Sequence, residues 1–464
     1  MTSLRWGLAL LAWFSCVWFG SWELNPNNAT RLFAAISIVE QGDATIDRFA
    51  ALTIDKAQFD GHAYLDKAPG MTLMAVPAVA LADAITGARA DPADGEAFAR
   101  YLRLRLRLAV ASGPAVLTAL ATVALFELGL ALTASAGAAL FAALGYALGS
   151  PIWGWSTTIF GHAAVAASFV IALWAIRRAE RPGLAALAGL ALGWAVVVEY
   201  QAVLAGIVLA SFALSRWWGR WRLVGAAAVG GVVGLCALVG YNLFAFGTPF
   251  RVGYAGVVGF EGMHQGLFGL TWPDLRALWE ILFGMRRGLL WVAPALVMAV
   301  PGLADLVAAR RTRGVGIAAA GAAAVVLLVN AAYVYWDGGN STGPRHAMPA
   351  IGLLTLGLAP FWAGLAARGR RVAAGVLAVS IALNLMIAGC DIFAAPWDPS
   401  QLGWVAREHL FKGDVTSIAS DYWGWPKWSG FAVWLAVAVP LLAWLGRQAR
   451  LHPAGPRVRT FGSA

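Results

Sequence analysis

Apolar runs of about 16–24 residues recur along the whole chain, punctuated by clusters of arginine. A helix crossing a bilayer needs a run of that length, and runs that are continuous rather than alternating exclude a closed barrel. The chain of 464 residues is 60% hydrophobic and only 12% charged, with a mean hydropathy of +0.69. A soluble domain carries roughly 25% charged residues. The sequence therefore predicts an all-α polytopic membrane protein, a single integral domain over 1–464 with no internal repeat. The net charge of +10 resides mostly in short loops between apolar runs, so it orients the chain and does not argue for nucleic-acid binding. Cys16, Cys236 and Cys390 lie in or beside apolar runs without CxxC spacing, which indicates neither a thiolate metal site nor a disulfide framework.

Charge sets the expected topology. The first run, about 7–22, reads as a retained helix with its N-terminus inside rather than as a cleaved leader. Basic clusters at 177–181, 216–222, 310–313, 368–371 and 447–458 all go to the inner face. The loops 242–287, 334–346 and 391–428 then go outside, beside a polar island at 23–67. Residues 68–87 read as a second membrane helix and Arg100, Arg103, Arg105 and Arg107 as an inner-face mark. That creates a conflict, because three apolar stretches separate this arginine run from Arg177. Either one stretch is re-entrant, or 87–107 is an amphipathic segment on the outer face. The expected count is 12 or 13 membrane helices.

The island holds Asp43, Asp47, Asp55, Asp60 and Asp66 within 24 positions, a steep concentration for so apolar a chain. Residues 30–41 carry one apolar stripe, which predicts an interfacial helix. A carboxylate just outside the bilayer, against an apolar wall, is placed to act as a general base; the bland alternative is a loop whose charges only keep it in water. Lys67 in LDKAPG either meets a phosphate at headgroup depth or anchors the chain by snorkelling. His62 and Asp66 flank it in the same stretch. His162 stands at the edge of an apolar run, and Glu199, with Tyr200, interrupts another; an intramembrane acid is a functional or a hinge candidate.

On the outer side, arginines are out of place. Arg286 and Arg287 end the second loop after PDLRALWEILFGM, which predicts another interfacial helix. Arg345 and His346 lie with Asp337 in YWDGGNSTGPRH, where glycines permit close backbone approach to a ligand. A guanidinium fork suits phosphate. No close His, Asp and Glu cluster has metal-ligand spacing, so no metal site is assigned.

A first helix, a polar loop with an amphipathic helix, and then GHAYLDKAPG resembles the GT-C glycosyltransferases, among them the protein O-mannosyltransferase-like and lipid A aminoarabinose transferase-like enzymes. IFGHAAVAA, AVVVEYQA, FGTPFRVGY, MRRGLLWVAPAL and YWDGGNSTGPRH look like the bacterial branch termed phospholipid-carrier-dependent glycosyltransferases. The resemblance spans about 1–350 and implies a GT-C-like bundle with long periplasmic loops, set in the inner membrane and active on its periplasmic face. It further implies a polyprenyl-phosphate sugar donor, a lipid, glycan or protein acceptor, and inversion at the anomeric carbon with a first-loop acid as base. NPNNAT stands where better-known members carry an acidic pair. Asp55 is accordingly ranked first as the base, Asp47 second, and Glu23 is retained as nearest the family position. Lys67, Arg287 and Arg345 are the expected phosphate ligands, with a divalent cation as the other means of stabilising the leaving group. The rival reading is a lipid-linked-sugar flippase or transporter, favoured by Glu199 alone.

Overall fold

The computed structural model describes residues 1–20 and 22–452 and is built almost wholly from helices. Six helical stretches are long and apolar enough to cross a membrane: Gly95–Thr133, Trp221–Phe246, Arg313–Ala332, Arg345–Gly364, Ala367–Gly389 and Ser429–Leu451. Shorter apolar helices stand among them, including Ala136–Ala147, Pro182–Val198, Ala202–Arg216 and Pro294–Ala308. With Thr2–Trp18 and Gly161–Arg178, and with Pro114–Thr133 as the crossing part of the longest stretch, twelve apolar segments run back and forth among the described residues. Close packing relies on missing side chains. A Cβ on Gly189 or Gly230 would overlap the carbonyls of Ala227 or Ala186, so helices 182–198 and 221–246 meet backbone to backbone.

The two ends of the bundle differ. At the basic end, Arg5 lies 2.5 Å from Glu127, which also pairs with Arg178, and the Arg216 Nε donates to the Ile176 carbonyl at 3.2 Å. The expected basic tail at 447–458 lies in part beyond the described residues, which end at 452. At the opposite end the three long polar segments interlock. Val258 N–H donates to the Lys56 carbonyl (3.3 Å) and Thr342 N–H to the Ile392 carbonyl (2.9 Å).

The largest departure from expectation concerns 68–112. Helix Gly70–Thr86 does not cross. Its start packs beside Gly113, and its end, at Asp83, meets Arg105 and Tyr101. Tyr101 and the Ala90 N–H both bond Glu40, at the tip of helix Pro26–Gln41 (2.8 Å each). Arg103 pairs with Glu23 (3.1 Å) and Arg107 with Asp421 (2.5 Å). The arginine run thus belongs to the polar end, which corrects its assignment to the inner face. The positive-inside rule counts Lys and Arg in short loops; these arginines lie on helix Gly95–Ser112, and three of the four are matched by buried or half-buried carboxylates. With the arginine run at the polar end, the three apolar segments between it and Arg177 no longer conflict with a basic end at Arg177.

Within the polar lobe, Asn25 caps helix Pro26–Gln41 by accepting from Asn27 N–H (3.1 Å), and Gly42 ends it at φ 67°. The helix is buried through residues 27–37 rather than floating at an interface on one stripe. Strands Ala57–Phe59 and His62–Tyr64 pair antiparallel, with Ala57 opposite Tyr64. Asp60 (φ 52°) and Gly61 (φ 87°) form the turn between them, the left-handed pair that Asp-Gly supplies to a two-residue hairpin. Helix Leu275–Phe283 is two-faced: Leu275, Trp279 and Phe283 share an exposed apolar face while Ala277 and Ile281 are buried.

Candidate active site

Five pieces of chain converge under the polar lobe. Helix Pro26–Gln41 contributes Arg31, 1% exposed, whose guanidinium donates to the Glu199 carboxylate at 3.0 Å and also bonds the Asn27 side chain. Glu199 occupies a break: helix Pro182–Val198 ends there in extended backbone, and a new helix starts at Ala202. His162, at the start of helix Gly161–Arg178, brings its Nδ1 to 3.9 Å from Glu199. The segment after the hairpin supplies Asp66 and Lys67. The Lys67 ammonium bonds the Asp66 carboxylate and lies 3.2 Å from Asp55. Burial pushes the Asp66 carboxyl above its ordinary value, against the pull of Lys67. Burial also disfavours the Lys67 charge, but the flanking carboxylates of Asp66 and Asp55 outweigh it and hold the ammonium above its usual range.

The turn before the Arg345–Gly364 stretch adds Arg345 and His346. The Arg345 guanidinium stacks over the Phe160 ring (5.4 Å), which Arg31 also approaches (5.9 Å). Among the described residues the Arg345 Nε is buried without a hydrogen-bond partner, as are both ring nitrogens of His346 and one oxygen of Asp66. The His346 ring sits edge-on to His162 (4.9 Å) and Tyr333 (5.1 Å). Below this cluster a narrow cavity runs between helices. Glu199, His162, Tyr333 and His346 line its polar end, and Val165, Phe169, Ala205, Val325 and Val329 its wall. Tyr200, next to Glu199, holds its ring 5.1 Å from that of Tyr254 in the second long loop.

Chemically, this is a cationic cradle of Arg31, Lys67 and Arg345, interleaved with Asp55, Asp66 and Glu199, at the mouth of an apolar slot. Several anticipated residues stand elsewhere. Asp47 accepts from the His62 ring (2.6 Å) and from Ala63 N–H (2.6 Å), so it braces the exposed hairpin. Glu23 faces Arg103 in an open notch formed with Trp22, Asn25 and Phe393. Arg287 is fully buried and donates to the carbonyls of Asp337 (2.9 Å), Arg286 (2.8 Å) and Gly339. Asp337 also pairs with Arg286 at 2.7 Å. Arg287 thus clamps the turn whose Gly338 packs on the Arg345 side chain. Among the described residues no group of three or more His, Cys, Asp or Glu side chains is arranged to hold a metal ion.

Three members of the cluster carried no assigned role in the sequence: Arg31, Phe160 and Tyr333. Arg31 left one trace, an arginine at the head of the apolar stripe of helix 26–41, where a cation needs a buried partner.

No protein-family model matches the chain, and no curated protein matches it. Among solved structures, the chain is similar to the crystal structure of ArnT from Cupriavidus metallidurans bound to undecaprenyl phosphate. The identity is 17% and the TM-score 0.48, over 97% of this chain and 72% of that one. The site is therefore read from its own residues.

Proposed function

We propose that the chain is a membrane glycosyltransferase of the GT-C kind, moving a sugar from a polyprenyl-phosphate donor to an acceptor hydroxyl of a lipid, glycan or protein. The observation that carries this reading is the cradle itself: Lys67 beside Asp55, with Arg31 and Arg345 over one Phe160 ring and Arg31 paired to Glu199, which with His162 and His346 lines a narrow, mostly apolar cavity. A lipid phosphate needs both halves, cations for the headgroup and an apolar slot for the first prenyl units. The motifs LDKAPG and YWDGGNSTGPRH, which carry the sequence resemblance, are the ones that supply Lys67 and Arg345. Basic clusters at the other end of the bundle favour a site on the periplasmic face of a bacterial inner membrane.

In this reading the acceptor oxygen attacks the anomeric carbon from the side opposite the phosphate, and the configuration inverts. The acceptor proton passes to Asp55. The bond from the anomeric carbon to the phosphate oxygen breaks, and its electron pair leaves with polyprenyl phosphate. Lys67, Arg345 and Arg31 meet the charge that grows on that oxygen, and such preorganised charge is the largest lever in reactions of this type. Asp47 and Glu23, engaged with His62 and Arg103, rank behind Asp55. Arg287 serves the phosphate at one remove, by holding the turn beneath Arg345.

Transport is less well supported. Glu199, its main evidence, sits in an ion pair with Arg31 at a helix break, at the same end as the other polar groups, whereas transporters gather polar groups at mid-membrane between paired repeats. The deciding experiment incubates purified protein with a polyprenyl-phosphate sugar and follows release of polyprenyl phosphate. Release by wild type and not by Asp55→Asn is expected. Translocation of the donor across vesicles without release would favour transport instead.

A further inference from the structure

The junction between cradle and slot holds one group the transfer scheme leaves idle. His346 buries both ring nitrogens without a partner among the described residues. Leaving an imidazole N–H dry and unpaired is costly, and a native site that does so reserves it for something that arrives later. Its neighbours do not fill the role. His162 and Tyr333 meet the ring edge-on, with centroids about 5 Å away (4.9 and 5.1 Å). The Tyr333 hydroxyl is directed at the Met263 sulfur (3.1 Å). Arg345, the preceding residue, has its own buried Nε unpartnered. Two adjacent residues therefore carry unsatisfied N–H donors, and one of them, His346, lines the cavity with Val165, Phe169 and Val329.

We infer that His346 is a ligand for a phosphate monoester carrying a prenyl chain, donating one ring N–H to a phosphate oxygen beside the ester linkage while Arg345 takes another oxygen. A neutral imidazole has one N–H to give and one lone pair, and the phosphate uses the first. This places the lipid's first carbons in the slot and the phosphate in the cradle. It makes His346 a reader of phosphate specifically, as opposed to the prenyl chain. The inference rests on the donor class proposed above and assigns a part of it to a named residue.

Equilibrium binding of farnesyl phosphate, farnesol and inorganic phosphate to the detergent-solubilised full chain tests it. The expected result is that His346→Ala weakens farnesyl phosphate roughly ten-fold or more, the weight of a hydrogen bond to a charged group, and leaves farnesol unchanged. His346→Gln, which keeps a donor near the Nε2 position, restores most of the affinity and controls for folding. Inorganic phosphate binds weakly to every variant, because it gains nothing from the slot. Equal loss for farnesyl phosphate and farnesol, or unchanged binding of farnesyl phosphate by His346→Ala, overturns the role of His346. Failure of the wild-type chain to bind farnesyl phosphate at all would remove the lipid-phosphate reading of the site together with it.

Discussion

The Lys67 ammonium is shared between two carboxylates, bonded to Asp66 and 3.2 Å from Asp55. One cation cannot neutralise both; in the proposed scheme an incoming phosphate competes with Asp55 for Lys67 and leaves the Asp55 carboxylate free to accept a proton.

That arrangement predicts a split between chemistry and binding. Asp55→Asn should lower the rate of polyprenyl phosphate release by about 10²–10⁴-fold, the usual weight of a general base. The same variant should bind prenyl phosphate at least as tightly as wild type, because it removes the anion that competes for Lys67. Single-turnover release and equilibrium binding on one preparation measure both. A variant that loses binding and rate in parallel would show Asp55 to be structural.

Arg31 and Glu199 make a buried pair, 1% and 4% exposed. Removing one partner strands a charge in a dry site, which costs about 3–5 kcal/mol. Arg31→Met or Glu199→Leu alone should therefore lower the unfolding midpoint sharply. The double variant should recover most of that loss without recovering activity, since Arg31 also belongs to the cradle. Thermal unfolding in detergent of the two singles and the double decides the matter; an additive double would deny the pairing its energetic role.

The hairpin should respond to pH through Asp47 and His62. The Asp47 carboxyl is raised by burial but lowered further by the Ala63 N–H and His62, so it sits below its ordinary value of 3.8. Its contribution is present above 3.8 and is lost as pH falls through the depressed value. The hydrogen bond to Asp47 raises His62 above 6.5, so its contribution is complete below 6.5 and is lost as pH rises through the raised value. Hydrogen exchange across 44–64 should be slowest between those two limits. His62→Ala should abolish the loss at high pH, and Asp47→Asn should flatten both limbs while leaving transfer nearly intact. A large loss of activity in Asp47→Asn would instead promote it to the base.

Several parts of this arrangement were legible in the sequence because they follow from local composition. Apolar run lengths mark the membrane segments, and LDKAPG and YWDGGNSTGPRH announce themselves as polar groups with glycine or proline nearby. Helix 70–86 was not legible: its composition suits a crossing, and only the pairing of Asp83 with Arg105 shows that it turns back. Arg31 and Glu199 are 168 residues apart, so neither residue's local context signals the other. Arg287 read as a phosphate ligand because an outer-face arginine is unusual; its actual partners are backbone carbonyls, which carry no sequence signal.

Gly161 offers a test of the site that alters no charge. It begins the helix that carries His162, and a Cβ built on it would overlap the Glu199 carboxylate, 2.9 Å from Cδ. The helix itself would tolerate alanine, indeed prefer it by roughly 1 kcal/mol. The clash falls on Glu199, which must then leave Arg31 or push the helix start away from the break at 199. The first movement frees Arg31 from its carboxylate, and the second displaces His162 relative to His346. Gly161→Ala should therefore keep its helical content, lose most transfer activity and weaken prenyl phosphate binding. Pairing it with Glu199→Ala removes the atoms it strikes and should relieve the additional loss, so that the double variant matches Glu199→Ala alone. If Gly161→Ala is as active as wild type, the close approach of helix 161–178 to Glu199 does not exist in the working protein.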